Sequence, residues 1–251
     1  MTKIILSGCN GKMGKTIAAC VAERDDCTIV AGFDINTSSP GYPVFADPSL
    51  CDVEADVIID FSHPAMLDAV LAYATAHTMP IVIATTGLSE QQNENIRQAT
   101  AQTAVFSSAN MSLGISLLAE LAKKAATVLG TSFDVEIIEK HHNQKIDAPS
   151  GTALMLGNAV KEGLPYEAEY VYDRHAVRQK RGAYEIGFSS IRGGTIVGEH
   201  DVLFAGHDEC ITLSHTATSK GVFATGAINA ALFLVNKPAG YYTMKDLVAN
   251  V

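Results

Sequence analysis

A chain of 251 residues is long for one domain and short for two full-sized ones, so one larger and one smaller unit is expected. Its 47% hydrophobic and 18% charged content suits a globular protein with a real core, while a net charge of -9 argues against nucleic acid or an anionic membrane as the partner. The five cysteines are odd in number and include no Cys-x-x-Cys pair; they indicate neither a disulfide framework nor a zinc ribbon and read as reduced thiols in a cytoplasm.

Lys3 to Ser7 reads as a short apolar strand that Gly8 ends too early for a signal peptide, and no later run approaches the roughly 18 apolar residues of a membrane span. Gly8-Cys9-Asn10-Gly11-Lys12-Met13-Gly14 follows, then a helix from Lys15 to Ala22. Strand, glycine turn and helix come in the order a dinucleotide site needs, because glycines let the backbone approach a pyrophosphate at a helix N-terminus. The spacing is Gly-x-x-Gly-x-x-Gly, which a plain tight turn also explains. A second strand, Thr28 to Phe33, ends at Asp34, about 20 residues past Gly14, where an acidic side chain accepts hydrogen bonds from an adenosine ribose. No arginine follows Asp34, so the sequence leans to NADH over NADPH, with Lys12 still available to a phosphate.

Residues 36–48 read as a loop. Val57 to Phe61 is a third strand leading to Ser62-His63-Pro64, and Ala65 to His77 a helix. Pro80 to Thr85 is a fourth strand leading into Thr86-Gly87, and Ser89 to Gln102 the next helix. Ala104 to Ser107 is a fifth strand, ending in Ser108-Ala109-Asn110-Met111. Such alternation predicts an α/β, Rossmann-like, doubly wound parallel sheet. Ligands bind beyond the carboxyl ends of its strands, so Ser62, Thr85, Thr86, Gly87 and Ser108 to Met111 outline a cofactor groove, although each alone is an ordinary loop cap.

An alanine- and leucine-rich helix from Ser112 to Leu129 leads to a strand, Phe133 to Ile138. That strand feeds the densest polar stretch of the chain, Glu139-Lys-His-His-Asn-Gln-Lys-Ile-Asp-Ala-Pro-Ser-Gly-Thr-Ala153. Successive strand residues point to opposite faces, so His141 and His142 cannot easily grip one metal ion. One imidazole faces a substrate as acid or donor while its neighbour packs or holds a second group. Ser150 or Thr152 caps the helix that follows, and the amides of Gly151 and Thr152, their neighbouring hydroxyls and the Lys145 ammonium converge on an anion. A carboxylate-bearing substrate is expected.

Beyond that helix come strands at Tyr170 to Tyr172, Tyr184 to Ile191, Ile196 to Ala205 and Glu209 to Ala217, with turns at Gly182, Gly193, Gly194 and Gly206. They predict a smaller inserted α+β domain on a mostly antiparallel or mixed sheet, with an open surface for subunit association. The basic run from Asp173 to Arg181 reads as a solvated loop, and Arg192-Gly193-Gly194 could aim a guanidinium at a carboxylate, although a simple turn explains it better. A final apolar helix, Gly221 to Val235, packs back on the first domain, and Met244 opens a short terminal segment. Residues 1–111 with 221–251 are thus the expected dinucleotide-binding domain, and 112–220 the substrate-binding and oligomerisation domain. Two other readings fit less well. A dehydrogenase with Cys9 or Cys210 as nucleophile would carry Cys9 inside the glycine turn, and an NADH-sensing regulator would need a basic DNA-reading helix.

The stretch from Glu139 to Ala153 resembles the signature of the 4-hydroxy-tetrahydrodipicolinate reductase family, also called dihydrodipicolinate reductase. Gly8 to Gly14, Asp60-Phe61-Ser62-His63-Pro64, Thr85-Thr86-Gly87, Ser108-Ala109-Asn110-Met111 and Ile196-Val197-Gly198-Glu199-His200 resemble it too. The resemblance implies hydride transfer from NADH or NADPH to C4 of a cyclic imine carrying two carboxylates, with loss of water, in lysine biosynthesis through diaminopimelate. It implies His141 as proton donor and acceptor, Lys145 as a second donor, and His142, Gly151 and Thr152 on the substrate carboxylates; Ser150, beside them, is counted with the substrate residues. Cofactor contacts are implied at Gly8, Cys9, Asn10, Gly11, Lys12, Met13, Asp34, Ala84, Thr85, Thr86, Ser108, Ala109, Asn110 and Met111, and the assembly as a homotetramer. Ala84 departs from the family, many of whose members have glycine there.

Overall fold

The computed structural model describes residues 1–108 and 110–249, so Ala109, among the expected cofactor contacts, lies outside the described residues. The chain forms two compact units, Met1–Leu113 with Lys220–Val251, and Gly114–Ser219.

The first unit begins β1 (Thr2–Ser7), α1 (Lys12–Ala22), β2 (Cys27–Phe33), β3 (Val44–Phe45), β4 (Val57–Asp60), α2 (Pro64–Ala76), β5 (Ile81–Ile83), α3 (Glu90–Ala99) and β6 (Ala104–Ser107). The second unit carries α4 (Leu113–Leu129), whose first residue lies in the first unit, then β7 (Asp134–His141), α5 (Gly151–Gly163), β8 (Glu169–Val171), β9 (Glu185–Arg192), β10 (Gly198–Ala205) and β11 (Cys210–Ala217). The chain then completes the first unit with α6 (Gly221–Leu234), β12 (Gly240–Tyr242) and α7 (Met244–Ala249).

In the first unit seven strands pair in parallel in the order β12-β6-β5-β4-β1-β2-β3. Period-two alternation sorts their side chains. Ile4, Leu6, Val57, Ile59 and Phe106 face α1, α6 and α7, while Ile5, Phe33, Ile58, Ile81 and Val105 face α2 and α3. Both faces are covered, which is why these strands read as continuous apolar runs. Local signals set the helix starts: Pro64 occupies the first turn of α2 behind the His63 cap, and Ser89 and Gln92 close a capping box on α3.

The second unit is a five-stranded sheet in the order β11-β10-β7-β9-β8, with β10 antiparallel to both its neighbours and β7, β9 and β8 mutually parallel. Leu118, Ala122 and Ala126 of α4 and Ala153, Leu156 and Val160 of α5 share one core with Val135, Ile137, Ile186, Phe188, Val202 and Phe204 of the sheet.

Four expectations are corrected. Loop 36–48 contains β3, paired with the end of β2. Helix α1 starts at Lys12, inside the glycine motif, and not at Lys15. The seventh strand, β12, is not among the expected strands: it is a three-residue edge strand paired with β6. The basic run is not simply solvated: Arg174 bridges Glu136 and Glu185 at 2.6 Å, and Arg181 binds Asp134 at 2.8 Å and donates to the carbonyls of Val135 and Glu185.

Candidate active site

Two clusters stand out, one in each unit. In the first, β1 gives way to a glycine turn at the point where the strand order reverses between β1 and β4. Gly8 has φ +77°, and a Cβ there would lie 2.5 Å from the Phe61 carbonyl oxygen. At Gly14 a Cβ would meet the Gly8 oxygen at 2.2 Å. The turn is therefore closed by backbone against backbone, with Gly11 capping α1 and its amide donating to the Gly8 oxygen at 3.0 Å. Gly14→Ala is expected to cost about 1–3 kcal/mol in urea denaturation and to weaken dinucleotide binding, because the intruding methyl meets main chain that cannot rotate away.

Beside the turn lies a groove of about 630 Å³ lined by Gly8, Gly11, Phe33, Asp34, Ile35, Phe61, Ser62, His63, Pro64, Met66, Thr86 and Gly87. Asp34, at the end of β2, accepts from the Asn10 amide and the Asn36 amide, each at 2.9 Å. Those two bonds tie the acid to the glycine turn, and a carboxylate has lone pairs left for a ribose hydroxyl. The groove thus fits the adenosine end of a nicotinamide dinucleotide. Among the described residues its lining includes no lysine or arginine.

Other residues expected at the cofactor are placed differently. Cys9, Ala84 and Met111 are buried in one apolar core, so only their backbone is offered to a ligand. Burial, with the charge of Asp34, pushes the Cys9 thiol up to about 11, which removes it as a nucleophile. Thr85 donates to the buried Asp60 at 2.6 Å, as does Ser62, so this carboxylate holds the ends of β4 and β5 together. Thr86 and Lys12 are exposed, Met13 half-buried, and Ser108 donates to the Asn110 carbonyl at 2.7 Å.

In the second unit β7 buries every other residue: Val135, Ile137, Glu139 and His141 face inward. Glu139 is 1% exposed and would be costly without partners. It has several. Arg192, at the end of β9 opposite His141, grips both its oxygens at 2.7 Å, the Ser150 amide donates to it at 3.1 Å, and His141 Nδ1 lies 2.6 Å from Oε2. Burial pushes this carboxyl up, but hydrogen bonds from Arg192, Ser190 and His141 outweigh it and hold it at about 2. Arg192 therefore does aim its guanidinium at a carboxylate, and not as part of a simple turn: the acid is the protein's own.

His142 follows the strand and is half-buried. Lys145 pairs with Asp147 at 2.8 Å, which lowers the Asp147 carboxyl, and its amide donates to the His142 carbonyl. Gly151 and Thr152 open α5, at the positive end of its dipole. Ser150 is its N-cap: the buried hydroxyl accepts from the Ala153 amide at 3.1 Å and pairs with His200 Nε2 at 3.0 Å. This hydroxyl thus already has two partners inside the protein, and the Ser150 amide has a third in Glu139. His200 was matched only as part of a motif. Its ring stands edge-on to His141, with centroids 5.1 Å apart, and burial followed by the charge of His141 lowers it to about 4.

Fold and sites together define a two-unit oxidoreductase that uses a nicotinamide dinucleotide. Family models described as the N-terminus and the C-terminus of dihydrodipicolinate reductase match residues 2–111 and 114–248, and the chain belongs to that family. It is 50% identical over 248 residues to the 4-hydroxy-tetrahydrodipicolinate reductase of Caldanaerobacter subterraneus subsp. tengcongensis, covering 99% of this chain and 98% of that protein. With the same-named protein of Clostridium novyi it shares 48% over 251 residues, covering 100% and 99%. A dipicolinate-bound dihydrodipicolinate reductase from Paenisporosarcina sp. TG-14 has the same fold, with a TM-score of 0.77 over 97% of each chain at 23% identity. The activity is the NAD(P)H-dependent reduction of 4-hydroxy-tetrahydrodipicolinate, in the diaminopimelate route to lysine.

Proposed function

We propose that the first unit is the dinucleotide-binding domain, with contacts at Gly8 to Met13, Asp34, Ala84 to Thr86 and Ser108 to Met111, and that the second unit binds the dicarboxylate. The bound cofactor supplies a hydride. His141 donates and recovers a proton, Lys145 is a second proton donor, and His142, Gly151 and Thr152 hold the carboxylates, while Ser150 keeps α5 in place. The observation that carries this reading is the gathering of two imidazoles, an ammonium and a helix N-terminus at the end of one strand. These are the groups that neutralise a doubly anionic ring and protonate it.

NADH is the preferred cofactor in this reading. The Asp34 carboxylate accepts from a ribose hydroxyl and repels a 2'-phosphate, and among the described residues the groove lining offers no lysine or arginine to offset that repulsion. With 4-hydroxy-tetrahydrodipicolinate generated in the assay, kcat/KM is expected to be higher with NADH. Asp34→Ala narrows the gap. No turnover with either nicotinamide rejects the reading, and a higher kcat/KM with NADPH rejects the preference.

The association surface is the sheet face opposite α4 and α5, which carries Ile138, Leu203 and the exposed Ile191. A homotetramer in the cytoplasm follows. Its five unpaired cysteines suit a reducing compartment, and among the described residues no helix is long and apolar enough to cross a membrane. Light scattering at the mass of four chains is the expected result.

A further inference from the structure

The proton role proposed for His141 requires more than an imidazole at the right place. A neutral imidazole carries its proton on one nitrogen only, and the two tautomers present opposite faces of the chemistry: one offers a base at Nε2, the other a blocked N–H. Whatever fixes the Nδ1 side decides which is present.

The groups facing the ring come from four elements. On β7 itself, Glu139 Oε2 lies 2.6 Å from Nδ1. From β9, Arg192 places Nη1 2.7 Å from the same oxygen and Nη2 2.7 Å from Oε1. From the start of α5, the Ser150 amide reaches Oε1. From β10, His200 stacks edge-on at 5.1 Å, and Gly198 lies against the other edge of the ring, where a Cβ would come 3.2 Å from Nε2. Arg192 Nη2 also donates to the Asp147 carbonyl at 2.7 Å, and Asp147 in turn pairs with Lys145. One guanidinium thus ties the acid behind His141 to the turn that carries the second proposed proton donor.

We infer that Glu139, clamped by Arg192, is a positioning residue that fixes His141 in the Nδ1–H tautomer and leaves Nε2 as the nitrogen that exchanges a proton with the substrate. The inference deepens the proposed function and rests on it. In the step it describes, Nε2 of the neutral ring first takes a proton from solvent to give the imidazolium, and that proton then passes to the substrate as the Nε2–H bond breaks and leaves the ring neutral. The Nδ1–H bond to Glu139 persists throughout, and the proton drawn from solvent is the one that reduction by a hydride consumes per turnover. Glu139 stays ionised throughout, because its oxygens already accept from three N–H donors of Arg192 and Ser150.

The donor count makes the inference testable with one atom. In Glu139→Gln, leaving the histidine aside, the position of Oε1 faces two donors, Arg192 Nη2 and the Ser150 amide, and that of Oε2 faces one, Arg192 Nη1, so the amide oxygen belongs at Oε1 and the NH2 turns Nη1 away. The amide NH2 then takes the place of Oε2 and donates toward Nδ1, which forces the ring into the Nε2–H tautomer.

The experiment uses the full-length chain with 15N-labelled histidine, the His141 signals being assigned by their loss in His141→Gln. In the wild type at alkaline pH, Nδ1 is expected to show the shift of a protonated nitrogen and Nε2 that of a bare one. In Glu139→Gln the two exchange character, and kcat falls about a hundredfold or more with KM nearly unchanged, the size of effect a wrong tautomer has on a histidine base. A bare Nδ1 in the wild type overturns the inference however the variant folds. An unaltered ring and wild-type kcat in Glu139→Gln, alongside lost kcat in His141→Gln, overturn it alone. Wild-type kcat in His141→Gln overturns the reading beneath it, and the inference with it.

Discussion

Replacing His141 with glutamine is expected to lower kcat by about a hundredfold to ten-thousandfold, the range in which a positioned proton donor contributes. Glutamine keeps the length and polarity of the side chain and removes the transferable proton, so binding should survive and KM should change little. An interaction made only in the transition state shows that signature. Lys145→Ala is expected to differ: it removes a cation as well as a proton donor, so KM rises along with the loss in kcat. Its partner Asp147 is more than half exposed and is left with water for company, so the fold tolerates the change. Steady-state kinetics on both variants, with both nicotinamides, check the pair, and a His141→Gln enzyme with unchanged kcat contradicts the assignment.

The residues of these two variants lie in the part of the site that was legible in the sequence, and the reason is periodicity. The alternation of β7 separates His141 from His142, and Pro149-Ser150-Gly151 marks the start of α5, because caps and strand faces are properties of a few consecutive residues. The parallel sheet of the first unit was legible for the same reason: apolar runs alternate with helical segments, and glycines mark the turn after β1. What could not be read depends on register. Arg192 lies 53 residues from Glu139 and meets it only because β7 and β9 pair in parallel with His141 opposite Arg192. His200 reaches Ser150 because β10 runs antiparallel to β7 with His200 opposite Glu139.

The buried ion pair does leave a local clue in the sequence. Glu139 sits two residues after Ile137 and two before His141, on the inward row of an alternating strand, and a charge on that row demands a partner. The partner is then a cation on a neighbouring strand, and Arg192 is the one at the end of β9. The partners of the basic run are hidden for the complementary reason. Arg174 and Arg181 find their acids on β7 and β9, elements that the sequence around residue 175 does not announce. Strand β12 escaped because three residues at a sheet edge carry too little apolar pattern to stand out.

Arg192→Leu is expected to be the most destabilising single change at this site, by about 3–5 kcal/mol at neutral pH, because it strands an ionised carboxylate that is almost wholly buried. The pH dependence gives the cause away. In the wild type the folded Glu139 carboxyl is held at about 2, below the ordinary 4.5, so the chain gains stability from it above pH 4.5 and loses that gain as pH falls from 4.5 toward 2. Without the guanidinium, burial is opposed by the weaker bonds of Ser150, Ser190 and His141, and the carboxyl moves up. The penalty in the variant is therefore greatest at neutral and alkaline pH and shrinks as acid protonates the group. Urea midpoints for the two proteins should converge on going from about pH 7.5 to about pH 4.5, since the unfolded states titrate alike. Removing both charges, as Glu139→Leu with Arg192→Leu, should recover much of the lost stability, because two apolar side chains leave no unpaired ion inside, while kcat stays low for want of the group behind His141. A double variant no more stable than Arg192→Leu alone, or a stability gap that stays constant with pH, would show that Arg192 acts there by packing and not by its charge.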